Sequence, residues 1–158
     1  MKKQAWVIAI DGPAGTGKSS VTRRLAETLH FRHIDTGALY RAIATVLLDR
    51  GLRLDSQEFA EAASELAETA HLEFRFDSKA TPSNRIYING VDVTPRIRTP
   101  EVSLAASKAS SFPRVRAALL GLQRKLGGEG RSILEGRDIG TVIFPDADVK
   151  FFLTATIE

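Results

Sequence analysis

The chain has 158 residues, enough for one domain of ordinary size with a buried core. With 43% hydrophobic and 26% charged residues and no biased tract, the composition is that of a folded globular protein and excludes a disordered or fibrous one. A net charge of +3, carried mostly by arginine, suits anionic ligands, and the absence of cysteine excludes disulfides, thiolate metal sites and a cysteine nucleophile.

The N-terminal "MKKQAWVIAIDGP" carries two lysines and a short apolar run, a faint signal-peptide pattern. The run ends at Asp11 and passes into glycines, so Ala5–Ile10 reads as a strand buried on both faces. No stretch reaches the roughly 20 apolar residues that a membrane span needs, and a cytoplasmic protein is expected. Gly12, Pro13, Ala14, Gly15, Thr16, Gly17, Lys18 and Ser19 then fit G-x-x-x-x-G-K-[ST] at every position. In a strand–loop–helix context this pattern turns successive backbone N–H groups toward phosphates. Lys18 reaches the terminal phosphates, and the Ser19 hydroxyl is offered to Mg²⁺. The following helix is expected to face the core through Val21, Leu25 and Leu29, at i, i+4 and i+8.

Residues 32–36 read as a second short strand, and "GALYRAIATVLLDRG" as a helix closed by Gly51. Thr36 and Arg41 form a second candidate anion site, though Thr36 reads equally as a helix cap and Arg41 as a solvated side chain. Residues 56–70 read as a helix capped by Ser56. The pattern then changes to period two in "HLEFRF" and "RIYINGVDV", joined by the turn-rich "DSKATPSN", with Asn89-Gly90 as a hairpin signal. This is a small antiparallel sheet, and residues 56–112 are expected to be an insertion, with 1–55 and 113–158 as the core domain. Two further helices flank Pro113, "GGEG" reads as a linker, and "RSILEG" and "VKFFLTA" return to the buried-strand pattern.

Buried strands alternating with helices predict an α/β, three-layer fold around a parallel sheet, with ligands at the carboxyl ends of the strands. Asp11, Asp35 and Glu135 each fall at such an end and are expected to converge on one crevice. No N-K-x-D run is present to read guanine, and Glu135 stands alone where motor and pump ATPases carry paired acids. Small-molecule kinases are the class that remains. In "EGRDIGTVIFP", Arg137 and Asp138 follow a strand end directly; they read either as a solvated surface loop or as site residues, since a carboxylate beside a phosphate site asks for a donor such as a nucleobase amino group. His30, His33 and His71 have no catalytic neighbours in sequence and read as structural.

The blocks "IAIDGPAGTGKSS", "DTGALYRA", "RTPEVS", "FPRVR" and "EGRDIGTVIFPDADVKFFLTA" together resemble the bacterial cytidylate kinase family of P-loop nucleoside monophosphate kinases. The resemblance implies transfer of phosphate from ATP to CMP or dCMP, with Mg²⁺, in a monomer without nucleic-acid or membrane partners. It implies that Gly12 to Ser20 hold ATP phosphates, that Arg41 and Arg137 hold the CMP phosphate, and that Ser107, Arg116 and Asp138 face the cytosine. It places Thr36 near the acceptor and Asp35 and Glu135 as holders of metal-bound waters. The family also continues past the position of Glu158, into an arginine-rich helix, a lid and a fifth sheet strand, so these 158 residues alone are expected to have little or no activity. Two alternatives stay open: a P-loop kinase for another acceptor such as UMP, shikimate or a sugar, or a nucleotide-binding fragment that transfers nothing.

Overall fold

The computed structural model describes residues 5–77, 79 and 84–156. Its chain divides into two compact units, Met1–Thr36 with Leu122–Glu158, and Gly37–Gly121. Most of the loop read as "DSKATPSN" lies outside the described residues.

The first unit is built on four parallel strands: β1 (Trp6–Asp11), β2 (Arg32–Asp35), β6 (Arg131–Gly136) and β7 (Val149–Phe152), in the order β2-β6-β1-β7. β1 and β6 are central, and Ile8, Ile10 and Ile133 are buried from their apolar runs as a two-faced parallel sheet demands. Register pairs Asp11 with Gly136 and Asp35 with Glu135, so three strands release their chain at one level.

Helix α1 (Lys18–Leu29) packs on this sheet by a different face from the expected one. Thr22 and Ala26 are its buried residues, with Leu25 half-buried, whereas Val21 and Leu29 are exposed. Ala26 joins Ile8, Ile10 and Ile133 in one apolar cluster, with Leu25 and Phe31 at its margin. Small side chains let the helix approach the strands closely, and the Thr22 hydroxyl is satisfied within the helix by the Lys18 carbonyl at 2.7 Å. Apolar spacing alone pointed one step around the helix from this seam.

Two further expectations change. "GGEG" is not a linker at its start, because α5 runs from Pro113 to Gly128. The Phe144 ring packs against Gly127, where a Cβ would sit 2.5 Å from it and the ring would have to move. The end of α5 is held by Arg32, whose Nη2 donates to the carbonyls of Leu126 and Glu129 at 2.8 and 2.9 Å. β7 is apolar in sequence but exposed on both faces, with Phe151 at 52% and Phe152 at 70%, because within this unit it is an edge strand.

The second unit carries α2 (Gly37–Asp49), α3 (Gln57–Thr69), α4 (Pro100–Ser110) and the antiparallel strands β3 (Leu72–Phe76), β4 (Asn84–Ile88) and β5 (Val91–Asp92). Its core joins Leu39, Ile43 and Leu47 of α2 to Ala105 and Ala109 of α4 and to Phe59, Ile86 and Ile88. Ser56 caps α3 through a bond from the Phe59 amide, as its position predicts. Asn89 and Gly90 both take positive φ, 50° and 80°, which is the turn that joins β4 to β5. On the outer face Arg75 and Arg85 stand directly opposite each other. Each is neutralised: Arg75 by Glu73 and the face of Tyr87, Arg85 by Asp92 at 2.8 Å.

Candidate active site

The loop between β1 and α1 is shaped by three glycines in conformations that a side chain resists: Gly12 at φ 153°, Gly15 at 77° and Gly17 at 80°. Gly12 is also enclosed, since a Cβ there would lie 2.3 Å from the Leu153 carbonyl oxygen. Gly17 is the N-cap of α1, and no acidic residue occupies the helix's first turn, so its positive end stays available to an anion. Pro13, Ala14, Gly15 and Ser20 are exposed along the loop, and Thr16 closes it with a bond to the Pro13 carbonyl at 3.1 Å. Lys18 Nζ folds back onto the Gly12 carbonyl at 3.1 Å, which holds the ammonium over the loop.

Glu135, 4% exposed near the end of β6, organises the floor beneath the loop. Its Oε1 accepts the Ser19 hydroxyl at 2.5 Å and its Oε2 lies 2.7 Å from His33 Nε2. An ionised carboxylate only accepts, so the imidazole presents N–H at Nε2. The Glu135 backbone carbonyl also takes both the hydroxyl and the amide of Thr36, at 2.8 and 3.2 Å. Thr36 is buried and its hydroxyl is turned toward β6. Asp35, also buried, is the register partner of Glu135 on the neighbouring strand.

His33, read from the sequence as structural, is joined to the Glu135 carboxylate. It has no catalytic neighbour in sequence, yet two strands in parallel register bring it to Glu135. The usable signal was alternation: residues 33 and 35 share a face of β2, and residue 35 already stood at the strand end.

Asp11 departs from the expected convergence. Its carboxylate is taken up by the amides of Ile139 and Gly140, both at 2.8 Å. Those residues open a π-helical turn, Ile139–Ile143, directly after Arg137 and Asp138. Arg137 is exposed and Asp138 half-buried. The other predicted acceptor residues belong to the second unit: Arg41 on α2, half-buried, Ser107 on α4 and Arg116 on α5, both exposed.

Ser19, Glu135 and Asp35 supply hard oxygen donors, and no group of three or more His, Cys, Asp or Glu suited to a metal occurs among the described residues. That donor set fits Mg²⁺, which keeps several waters and shares its sphere with substrate phosphates instead of entering an all-protein cage.

A family model described as cytidylate kinase matches residues 8–158. The cytidylate kinase of Syntrophotalea carbinolica is 49% identical over 150 residues, which cover 95% of this chain and 61% of that protein. The cytidylate kinase of Citrifermentans bemidjiense is 46% identical over 158 residues, all of this chain and 65% of that protein. A Synechococcus protein named bifunctional pantoate ligase/cytidylate kinase is 46% identical over 151 residues, which make up 27% of it. The chain therefore spans less than two thirds of the length of these relatives.

Proposed function

Because the chain belongs to the cytidylate kinase family, we propose that it forms the donor-phosphate site and part of the acceptor site of an enzyme that transfers the γ-phosphate of ATP to CMP or dCMP. The products are ADP and CDP or dCDP, the setting is cytoplasmic pyrimidine nucleotide metabolism, and the working protein is a monomer. No helix among the described residues is long and apolar enough to cross a membrane.

The supporting observation is the complete phosphate loop, with its Ser19 hydroxyl bonded to a buried carboxylate on the adjacent central strand. Residues Gly12 to Ser20 hold the ATP phosphates, with backbone N–H groups other than at Pro13 as donors, and Lys18 neutralises charge that spreads over the transferred group. Mg²⁺, when bound, would supply positive charge that offsets the charge of the phosphates. Ser19 would be its direct ligand, with Glu135 and Asp35 reaching it through water. With its hydroxyl hydrogen donated in a hydrogen bond to Glu135, the Ser19 oxygen keeps its lone pairs for the cation.

Within this reading Arg41 and Arg137 hold the acceptor phosphate, Thr36 lies near the acceptor, and residues 56–112 are the monophosphate-binding insertion. The attacking atom is a phosphate oxygen, already anionic at neutral pH, so no side chain has to remove a proton. Catalysis is positioning plus charge neutralisation. Ser107 and Arg116 donate to cytosine N3 or O2 and Asp138 accepts from the N4 amino group, whereas uracil would set an oxygen against that carboxylate.

ATP consumption by the full-length protein with CMP, dCMP, UMP and AMP tests this reading. CMP and dCMP should be used best. Equal use of all four, or a preference for UMP, would overturn it.

A further inference from the structure

Asp11 is 7% exposed, and such a carboxylate is tolerated only where its oxygens are met. Both are. Oδ1 accepts from Ile139 N–H and Oδ2 from Gly140 N–H, each at 2.8 Å and each bond buried. The two donors are the first amides after Asp138, and a helical turn has no preceding carbonyls for its opening amides. Asp11 supplies the missing acceptors from another strand.

The rest of the turn is fixed around the same point. Its Val142 and Ile143 amides return to the Asp138 carbonyl at 2.9 and 3.2 Å. From α5, Arg124 donates to the carbonyls of Ile143 and Val142 at 3.0 and 3.2 Å. Asp11 is also the last residue of β1, and the phosphate loop starts at Gly12.

We propose that Asp11 is a positioning residue for acceptor choice: it clamps the backbone of residues 139 and 140 to the root of the phosphate loop and so sets where Arg137 and Asp138 stand relative to that loop. The inference rests on the proposed reading of the base by Asp138. Selectivity between pyrimidines then depends on a side chain that touches no base, and the loop that holds ATP and the turn that reads the acceptor are tied at a single carboxylate.

The test uses Asp11→Asn and Asp138→Ala in the full-length protein. An asparagine keeps one oxygen but sets an NH₂ against a backbone N–H, so at most one of the two bonds survives. Asp11→Asn should lower the ratio of kcat/KM for CMP over UMP by about tenfold, with affinity for a fluorescent ATP analogue within about threefold of wild type. A merely structural role would lower both pyrimidine rates together and leave the ratio alone, which would overturn the proposal. If Asp138→Ala does not change the ratio, the base reading itself fails and the inference falls with it. If Asp138→Ala collapses the ratio while a folded, ATP-binding Asp11→Asn protein keeps it, the inference alone is wrong. Should Asp11→Asn give no cooperative melt, amide exchange of the wild-type protein decides: exchange at Ile139 and Gly140 as slow as in β1 supports the clamp, and exchange as fast as in exposed loops overturns it.

Discussion

His33 and Glu135 meet side chain to side chain across adjacent parallel strands, Nε2 to Oε2 at 2.7 Å, while the other oxygen of the same carboxylate holds Ser19. The imidazole therefore fixes the rotamer that keeps Oε1 turned toward the Ser19 hydroxyl. Replacing His33 with Phe removes one donor from a buried carboxylate, a loss of about 1–3 kcal/mol. The variant should need more Mg²⁺ for half-maximal turnover, with metal-free ADP binding unchanged, and His33→Gln should recover most of the loss. A Mg²⁺ titration that does not move in His33→Phe would refute this role.

Among the described residues Lys18 Nζ donates to the Gly12 carbonyl at 3.1 Å, a part-buried bond. Lys18→Met should reduce kcat by a factor on the order of 100–1,000, the scale for loss of a donor aimed at developing charge. Its thermal melt should stay close to wild type. A melt that falls in step with activity would show that the lysine's main role is in the fold.

Gly136 ends β6 immediately before Arg137. A Cβ there would meet the Thr36 hydroxyl at 2.8 Å and two Ile139 carbons at 2.9 Å. Both neighbours are buried and Thr36 is already bonded to Glu135, so neither moves freely. Gly136→Ala should cost about 1–3 kcal/mol in urea unfolding. It should also weaken CMP use more than ATP-analogue binding, because Arg137 and Asp138 follow it in the chain.

Asp92 supplies a pH dependence in the second unit. Burial pushes its carboxyl up, but hydrogen bonds from Thr94 and Arg85 outweigh that and hold it below its ordinary value of 3.8. With the folded value below the unfolded one, the stabilisation is complete above about pH 4 and is lost as pH falls through the folded value. Asp92→Asn should be less stable than wild type at neutral pH, and the two should converge in acid. Unfolding curves at pH 7 and near pH 2 check this, and a gap that persists in acid would contradict it.

The phosphate loop was legible because its spacing is contiguous, and the small sheet because Asn89-Gly90 and period-two alternation mark a hairpin locally. Ser56 as the cap of α3 was equally local. What the chain order concealed depends on register and on neighbours. His33 meets Glu135 across 102 positions, and the Asp11 carboxylate turns to amides 128 and 129 positions away. The face of α1 was missed because Thr22 and Ala26 are unremarkable by hydropathy and are buried for their size. β7 has the apolar composition of a buried strand and lies at an edge within this unit, because composition does not reveal which strand lies at an edge.

The 2.3 Å approach at Gly12 also bears on how this loop can change over generations. Every amino acid one nucleotide away from a glycine codon carries a Cβ. No single step at position 12 is open until the backbone near Leu153 has shifted, and such a shift leaves a gap while the glycine remains. Even with that shift the φ of 153° at position 12 still opposes a side chain, so the first residue of the loop is held by two independent constraints.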